Sequence, residues 1–468
     1  MIQSFVSLVT RHWISMLGSV IALTAAVLVI LLLGIELSGF KGGAYLGIVT
    51  YMLLPMVLVF GLALIPVGVI RKRRLDAAAR AQHEQPPHLP VIDLNNQHVR
   101  GVLLASVAIG VVSIVLLGTA TYKGVDMMES VAFCGTVCHT VMQPEYTAFQ
   151  RSPHSRLRCA DCHIGSGADW FVKSKLSGSW QMVAVALNLY PTPIPSPVHN
   201  LRPARETCEQ CHWPTRHIGD KLEVRSKFAA DEANTETKTV LLMKVGGQQG
   251  TSSTGIHWHV DRGVQIRYLS DPNRQDVYDV EMTTADGKTK AFKTKDQPSG
   301  PTQWRTMDCV DCHNRPSHTF KPPEREVDDA LQDGRIDKTL PFVKREALRL
   351  LTASYPSQDA ARAGIAQGLE TFYKSSYADA ATAKAPAIAA AGKALGDIYA
   401  WNVFPAMKVT WGTYKSNIGH DDAPGCMRCH DKKHVAADGA RITGSCKSCH
   451  TVVADDEKDP EILSTLKP

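Results

Sequence analysis

Apolar and polar positions are spread unevenly along the 468 residues. Three long, almost uninterrupted apolar runs lie before residue 122, at about 14–35, 45–70 and 101–121. A bilayer crossing takes about 20 residues of apolar helix, so each run predicts a transmembrane helix. Pro55 and Pro66 in the second run are tolerated where neighbouring groups re-satisfy the freed backbone. Beyond residue 122 the texture changes several times. Asp169 to Leu189 reads as a helix, stopped by the proline-rich run from Tyr190 to Pro197. Alternating runs at 239–245, 263–269 and 276–282 predict strands, with a hairpin turn at Ala285-Asp286-Gly287-Lys288. From about Glu324 to Ala400 the spacing turns helical again, as at Leu348, Leu351 and Tyr355.

Positive charge orients the anchor. Arg11 precedes the first run, Arg71-Lys72-Arg73-Arg74 follows the second, and His98 and Arg100 lead into the third. Basic flanks stay on the cytoplasmic side. The N-terminus is therefore expected inside, with a cytoplasmic loop at 71–100 and the chain from 122 onward outside. A cleaved signal peptide is the rival reading of the first run, but that run is longer than a usual signal core and no small-residue cleavage site is followed by soluble sequence.

The cysteines then change the picture. There are twelve, in six pairs, and a histidine follows each pair at once: Cys134/Cys138/His139, Cys159/Cys162/His163, Cys208/Cys211/His212, Cys309/Cys312/His313, Cys426/Cys429/His430 and Cys446/Cys449/His450. Zinc ribbons and structural disulfides also use paired cysteines, but neither needs a histidine after every second one. C-x-x-C-H is the signature of covalent c-type haem: each thiol adds to a vinyl group and the histidine reaches the iron. Six covalently bound haem c groups are expected. The first pair has three residues between its cysteines rather than two. Haem attachment of this type takes place outside the bacterial cytoplasmic membrane, which agrees independently with the charge rule.

Further ligands should come from the remaining histidines outside the anchor: His154, His199, His217, His257, His259, His318, His420 and His434. Most lie within twenty residues of a motif. As a group they suggest haems held by two histidines, a saturated coordination suited to electron transfer. His257 and His259 are read on a strand, where positions i and i+2 share a face. At the first haem either Met142 binds the iron or the site stays partly open, and His83, His88 and His98 read as solvated side chains. Residues 324–400 carry no site-like chemistry and read as scaffold.

Phe133-Cys134 through Cys138-His139, Pro144-Glu145-Tyr146, His154 ahead of Cys159-Ala160-Asp161-Cys162-His163, then Asp169-Trp170, Lys173 and the motif at Cys208 together resemble the NapC/NirT family of membrane-anchored multihaem quinol dehydrogenases. The likeness covers about 130–214. The later portion resembles the larger multihaem inner-membrane cytochromes of metal-respiring bacteria, also assigned to that family. The sequence departs from the family pattern in having three anchor runs rather than one, six motifs rather than four, and a methionine three rather than two residues beyond the first motif histidine.

The fold expected is mainly α: a three-helix anchor (1–121), a three-haem module (122–220), a small β-rich insertion (221–305), a fourth haem with a helical scaffold (306–400), and a C-terminal two-haem module (401–468). The resemblance implies oxidation of menaquinol or ubiquinol at the outer face of the inner membrane, with electrons passing to a periplasmic cytochrome or reductase. Quinol oxidation releases protons and needs a base. Asp169 and Lys173 rank first by resemblance, followed by Lys175, Glu129 and Asp126, although a headgroup-level surface charge is an equally good reading of each. The rivals are a relay subunit without a quinone site, fed by other membrane subunits, and a reductase of a small nitrogen or sulfur oxyanion. The histidine surplus argues against the reductase, which needs an open haem position. A formal net charge of +6 says little about partners, and nothing points to nucleic acid.

Overall fold

The computed structural model describes residues 12–37, 53–81, 94–97, 100–101, 104, 122–123, 126–137, 139–165, 168–198, 201–213, 219–249 and 252–465. Its helices in chain order are α1 (Trp13–Leu37), α2 (Leu54–Ala81), α3 (His139–Gln150), α4 (Cys159–His163), α5 (Ala168–Ala186), α6 (Ala204–Cys208), α7 (Cys309–Cys312), α8 (Pro323–Gln332), α9 (Val343–Leu351), α10 (Gln358–Ser376), α11 (Ala378–Ala383), α12 (Ala385–Asn402) and α13 (Glu461–Thr465). The chain forms two compact units. One comprises Met1–Ser130 with Cys159–Trp180, the other Val131–Arg158 with Gln181–Pro468.

In the first unit α1 and α2 are each long and apolar enough to cross a membrane. Lipid supplies no hydrophobic drive for helices to pair, so close backbone approach must do it. Ser15, Gly18, Ala22 and Ala25 are buried along α1. Opposite them a Cβ on Gly61 would lie 2.7 Å from the Ala22 nitrogen, and one on Gly18 would lie 2.6 Å from the Gly61 carbonyl oxygen. Ser15 Oγ donates to the Ile65 carbonyl at 3.0 Å. The second helix runs past the basic cluster to Ala81, where the sequence predicts a loop from 71. Arg71–Ala81 is built from strong helix formers, and Lys72 pairs with Asp76 one turn on, at 3.0 Å. The third apolar run lies almost wholly outside the described residues.

The second unit holds a mainly helical core, two larger sheets and a two-stranded one. Val327, Leu340, Val343, Leu351, Ile365, Leu369, Leu395 and Ile398 from α8 to α12 and the loop between α8 and α9 are fully buried together. Glu326 in α8 is buried as well. It accepts two hydrogen bonds from Arg151, at 2.9 and 3.1 Å, and one from Asn402 at 3.2 Å. The scaffold thereby grips the chain just beyond α3.

The strands are β1 (Lys221–Phe228), β2 (Glu236–Met243), β3 (Gly247–Gln249), β4 (Ser252–Thr254), β5 (Val264–Ser270), β6 (Val277–Thr284), β7 (Thr289–Lys293), β8 (Gln303–Thr306), β9 (Val435–Ala436) and β10 (His450–Glu457). The alternating runs of the sequence are β2, β5 and β6. Sheet order is β8-β5-β6-β7-β9 in the larger sheet and β1-β2-β10 in the next, β3 and β4 pair by themselves, and every pairing is antiparallel. Inward alternation buries Ile266, Tyr268, Val280 and Phe292. The C-terminal segment supplies β9 and β10, so it completes both larger sheets from far along the chain.

Candidate haem sites

Four pairs of histidine rings face one another in the second unit. Each joins a motif histidine to one of the others: His154 with His212 at 6.0 Å between centres, His257 with His313 at 6.4 Å, His259 with His430 at 5.8 Å, and His420 with His450 at 6.2 Å. An imidazole nitrogen binds a first-row metal at about 2 Å and lies about 1 Å from its own ring centre, so two rings on opposite sides of one iron have centres about 6 Å apart. All four spacings fit that geometry.

Hydrogen bonds at the other ring nitrogen fix which atom can bind. His257 Nδ1 donates to the Val245 carbonyl at 2.9 Å, His259 Nδ1 to Ile256 at 2.8 Å, and His430 Nδ1 to Thr443 at 2.6 Å. A donating Nδ1 leaves Nε2 unprotonated, the form that ligates metal. Burial holds His259 below the usual histidine range, and His450 is lowered chiefly by the same cause. His318 carries the same signature, its Nδ1 lying 2.9 Å from the Glu145 carbonyl.

His257 and His259 do not sit on a strand. Residues Ile256–Val260 form a 3-10 turn. With three residues per turn, positions i and i+2 diverge instead of sharing a face. The two rings accordingly reach different motifs, the fourth and the fifth. One short turn thus brings a histidine to each of two motifs.

Attachment cysteines of successive motifs also adjoin. The thiols of Cys208 and Cys309 lie close enough to affect each other's ionisation. Cys312 and Cys426, then Cys426 and Cys449, lie close enough to affect each other's ionisation. The last four motifs therefore follow one another in space in chain order. Before haem is attached, burial pushes the Cys429 thiol up to about 12.

Cys211 is exposed, as Cys312 and Cys446 are. The sequence reading treats it as the equal of Cys208, yet the two thiols of the third motif stand in different surroundings. Cys208 is half-buried at the end of α6, whereas Cys211 is exposed in the turn that follows. The cause is the early end of the helix: the Cys211 and His212 nitrogens both donate back to the Cys208 carbonyl, at 3.1 and 2.8 Å, which carries Cys211 outward. Its role in haem attachment rests on the C-x-x-C-H spacing. The eight cysteines of the last four motifs, Cys211 among them, form no disulfide. Among the described residues no three histidine, cysteine or carboxylate side chains converge as a zinc site requires.

Several supporting residues escape a reading by motif. Asp308 caps α7: its Oδ1 accepts from the Cys309 nitrogen at 2.6 Å, and Asp311 Oδ2 accepts from the Asp308 nitrogen at 2.7 Å. Asp308 Oδ2 also accepts from the Ala204 nitrogen at 3.0 Å, which ties α6 of the third motif to the fourth. Asp311 is buried and accepts from the Tyr268 hydroxyl at 2.5 Å. The spacing Asp308-Cys309-Val310-Asp311 is a capping-box pattern visible in the sequence. Glu145 takes two hydrogen bonds from Arg315, at 2.7 and 2.8 Å, and Arg315 Nε donates to the His318 carbonyl at 2.7 Å. No local pattern points to that clamp, whose partners are 170 residues apart.

The first motif is built differently. Phe133–Val137 is a π-helical turn, the form in which a helix absorbs one extra residue. It accommodates the third residue between Cys134 and Cys138. Gly135 is required there, because a Cβ at that position would collide with the Tyr146 ring. Met142 is half-buried in α3, one turn after His139.

Of the remaining candidates, His163 closes α4, and the side chains of His139, Asp169 and Lys175 lie outside the described ones, as do His199, His217 and Cys138 altogether. Lys173 is exposed, its ammonium 4.5 Å from the centre of the Trp170 ring. Glu129 is buried and Asp126 exposed, both shortly before the first motif. His434 is completely buried, its Nδ1 3.0 Å from Asp431, and it faces no second histidine ring among the described residues.

Paired imidazoles, non-disulfide cysteines and two membrane-length helices define a membrane-bound multihaem c-type cytochrome. The model of the NapC/NirT cytochrome c family, N-terminal region, matches residues 96–194. The chain is 38% identical over 447 residues to the cytochrome c-type protein ImcH of Geobacter sulfurreducens, covering 94% of this chain and 87% of that one. It is 35% identical over 92 residues to the cytochrome c-type protein TorC of Escherichia coli K12, covering 18% of this chain and 23% of that one. No solved structure matches. The chain belongs to the NapC/NirT cytochrome c family, and its covalently bound group is haem c.

Proposed function

We propose that the chain is a hexahaem cytochrome that oxidises quinol at the outer face of the inner membrane and hands the electrons to a periplasmic cytochrome or reductase. The observation that carries the reading is the set of four histidine pairs, each at the spacing of one bis-imidazole iron. Haem iron bound by two imidazoles exchanges single electrons with no free coordination position. The protein's part is to hold each pair of rings and to keep successive motifs close. The Ile256–Val260 turn and the Cys208–Cys309 contact do so for the third to fifth motifs.

The first two motifs form the entry. His139 of the motif would hold the first haem, with Met142 as its further ligand or that position open. His318 is the further ligand proposed within the second unit, supported by the hydrogen bond of its Nδ1 to the Glu145 carbonyl. Quinol deprotonation is assigned to Asp169, with Lys173 holding the developing oxyanion, and Lys175 and Glu129 as further proton-handling groups. Lys173→Ala is expected to slow haem reduction by a menaquinol analogue and to leave reduction by dithionite intact. Unchanged quinol kinetics would remove Lys173 from the site.

A further inference from the structure

Helix α5 carries an apolar stripe that faces away from the protein. Leu176, Trp180, Val183 and Leu187 recur at intervals of four, three and four residues, which stacks them along one side of a helix. Their exposures are 69, 62, 45 and 63%. Leu187 continues the helical turn through its hydrogen bond to Val183 at 3.0 Å. The opposite side is the packed one: Val185 lies against Val141, Phe404, Met407, Val409 and Tyr414. Four large apolar side chains aligned on the outer side of one helix make a surface that water does not favour.

We propose that α5 is an interfacial helix, its Leu176–Leu187 stripe resting in the acyl boundary of the membrane leaflet that adjoins the haem domain. The chain itself indicates what covers the stripe. The compact unit that contains both membrane-length helices also contains Cys159–Trp180, and with it the α5 residues up to Trp180. Leu176 and Trp180 thus belong to the unit that carries the membrane-length helices, which makes lipid the occupant argued for the stripe. Composition agrees, with a tryptophan in the stripe and a lysine one turn before it, groups that settle at headgroup depth. The helical line that runs through Leu176 and Trp180 begins at Asp169 and Lys173. A lipid-dissolved quinol moving along the stripe would thus meet those two positions first. The lipid contact itself does not depend on the quinol reading.

The test uses the full-length holoprotein in phosphatidylcholine vesicles doped with a phosphatidylcholine bearing a diazirine high on its acyl chain. After illumination and trypsin digestion, label is read by mass spectrometry. The expected result is several-fold more label on the peptide from Leu176 to Arg205 than on peptides of α10, with the α1 and α2 peptides as the positive reference. The double variant Leu176→Glu with Trp180→Glu should lose that label while keeping the wild-type haem spectrum and vesicle attachment. An unlabelled Leu176–Arg205 peptide in the wild type overturns the proposal. So does a chain-to-chain cross-link from a photoreactive residue at position 180 in place of a lipid adduct, which would make the stripe a contact between two copies. Retained labelling with abolished quinol oxidation in a Lys173 variant separates this proposal from the functional one.

Discussion

The imidazole planes of His257 and His313 lie within 1° of parallel, their centres 6.4 Å apart. Two residues further along the same turn, the planes of His259 and His430 meet at 75°, and those of His154 and His212 meet at 79°. Parallel imidazoles act on the same iron dπ orbital and split the pair, whereas crossed imidazoles act on one each and leave the two nearly equal. The oxidised protein should therefore show two kinds of low-spin electron paramagnetic resonance, one rhombic and one strongly anisotropic. His257→Met should remove intensity from the rhombic set alone and raise one haem potential. Loss from the anisotropic set instead would contradict the pairing.

His434 is buried against Asp431 and, among the described residues, meets no partner ring. His434→Gln should leave every haem low-spin and lower stability by about 1–3 kcal/mol through the lost buried hydrogen bond. A new high-spin signal in that variant would make His434 an axial ligand.

Gly135 lies beneath the Tyr146 ring in the π-turn of the first motif. Gly135→Val should cost about 1–3 kcal/mol or more through overpacking and reduce attachment of the first haem, read by mass spectrometry. Adding Tyr146→Ala should recover part of the loss. Equal damage with and without the second change would show that the ring is not the obstacle.

Lys344 pairs with Asp328 at 2.6 Å, both side chains nearly buried. Lys344→Ala strands the carboxylate and should destabilise the scaffold by about 3–5 kcal/mol at neutral pH in denaturant unfolding. The pH dependence has a definite sign. Burial already holds Asp328 above its ordinary value despite the lysine. A carboxyl raised in the folded state favours folding when protonated, so its contribution falls as pH rises from the ordinary carboxylate value through the raised one. The variant's deficit should shrink on acidification, and a deficit that grows would refute the assignment.

Much of this arrangement is legible in the sequence because haem attachment is encoded locally. Cys309, Cys312 and His313 sit within five residues, and the apolar runs of α1 and α2 announce themselves by length. The strand-like runs at β2, β5 and β6 are likewise local patterns. Partnership is not local. His257 and His313 come from distant parts of the chain, and the 3-10 turn that aims His257 and His259 at separate motifs cannot be told by spacing from a strand. Spacing also makes Cys208 and Cys211 look alike, although the end of α6 leaves one half-buried and the other exposed. The Glu145–Arg315 clamp and the return of β9 and β10 to sheets begun far earlier depend on tertiary packing, on which neither propensity nor periodicity bears. The π-turn at Phe133–Val137 is intermediate: an extra residue between cysteines is visible, but the backbone form that absorbs it is not.

The central claim is that this cytochrome takes electrons from quinol without help from another subunit. The most direct measurement is rapid mixing of the purified protein, reconstituted in vesicles, with a menaquinol analogue, following haem absorbance. The account predicts prompt reduction to an extent set by the haem potentials, abolished by Asp169→Asn and retained with dithionite. Haems that dithionite reduces fully but quinol leaves oxidised would contradict it, and would make the chain a relay fed by a partner in the membrane.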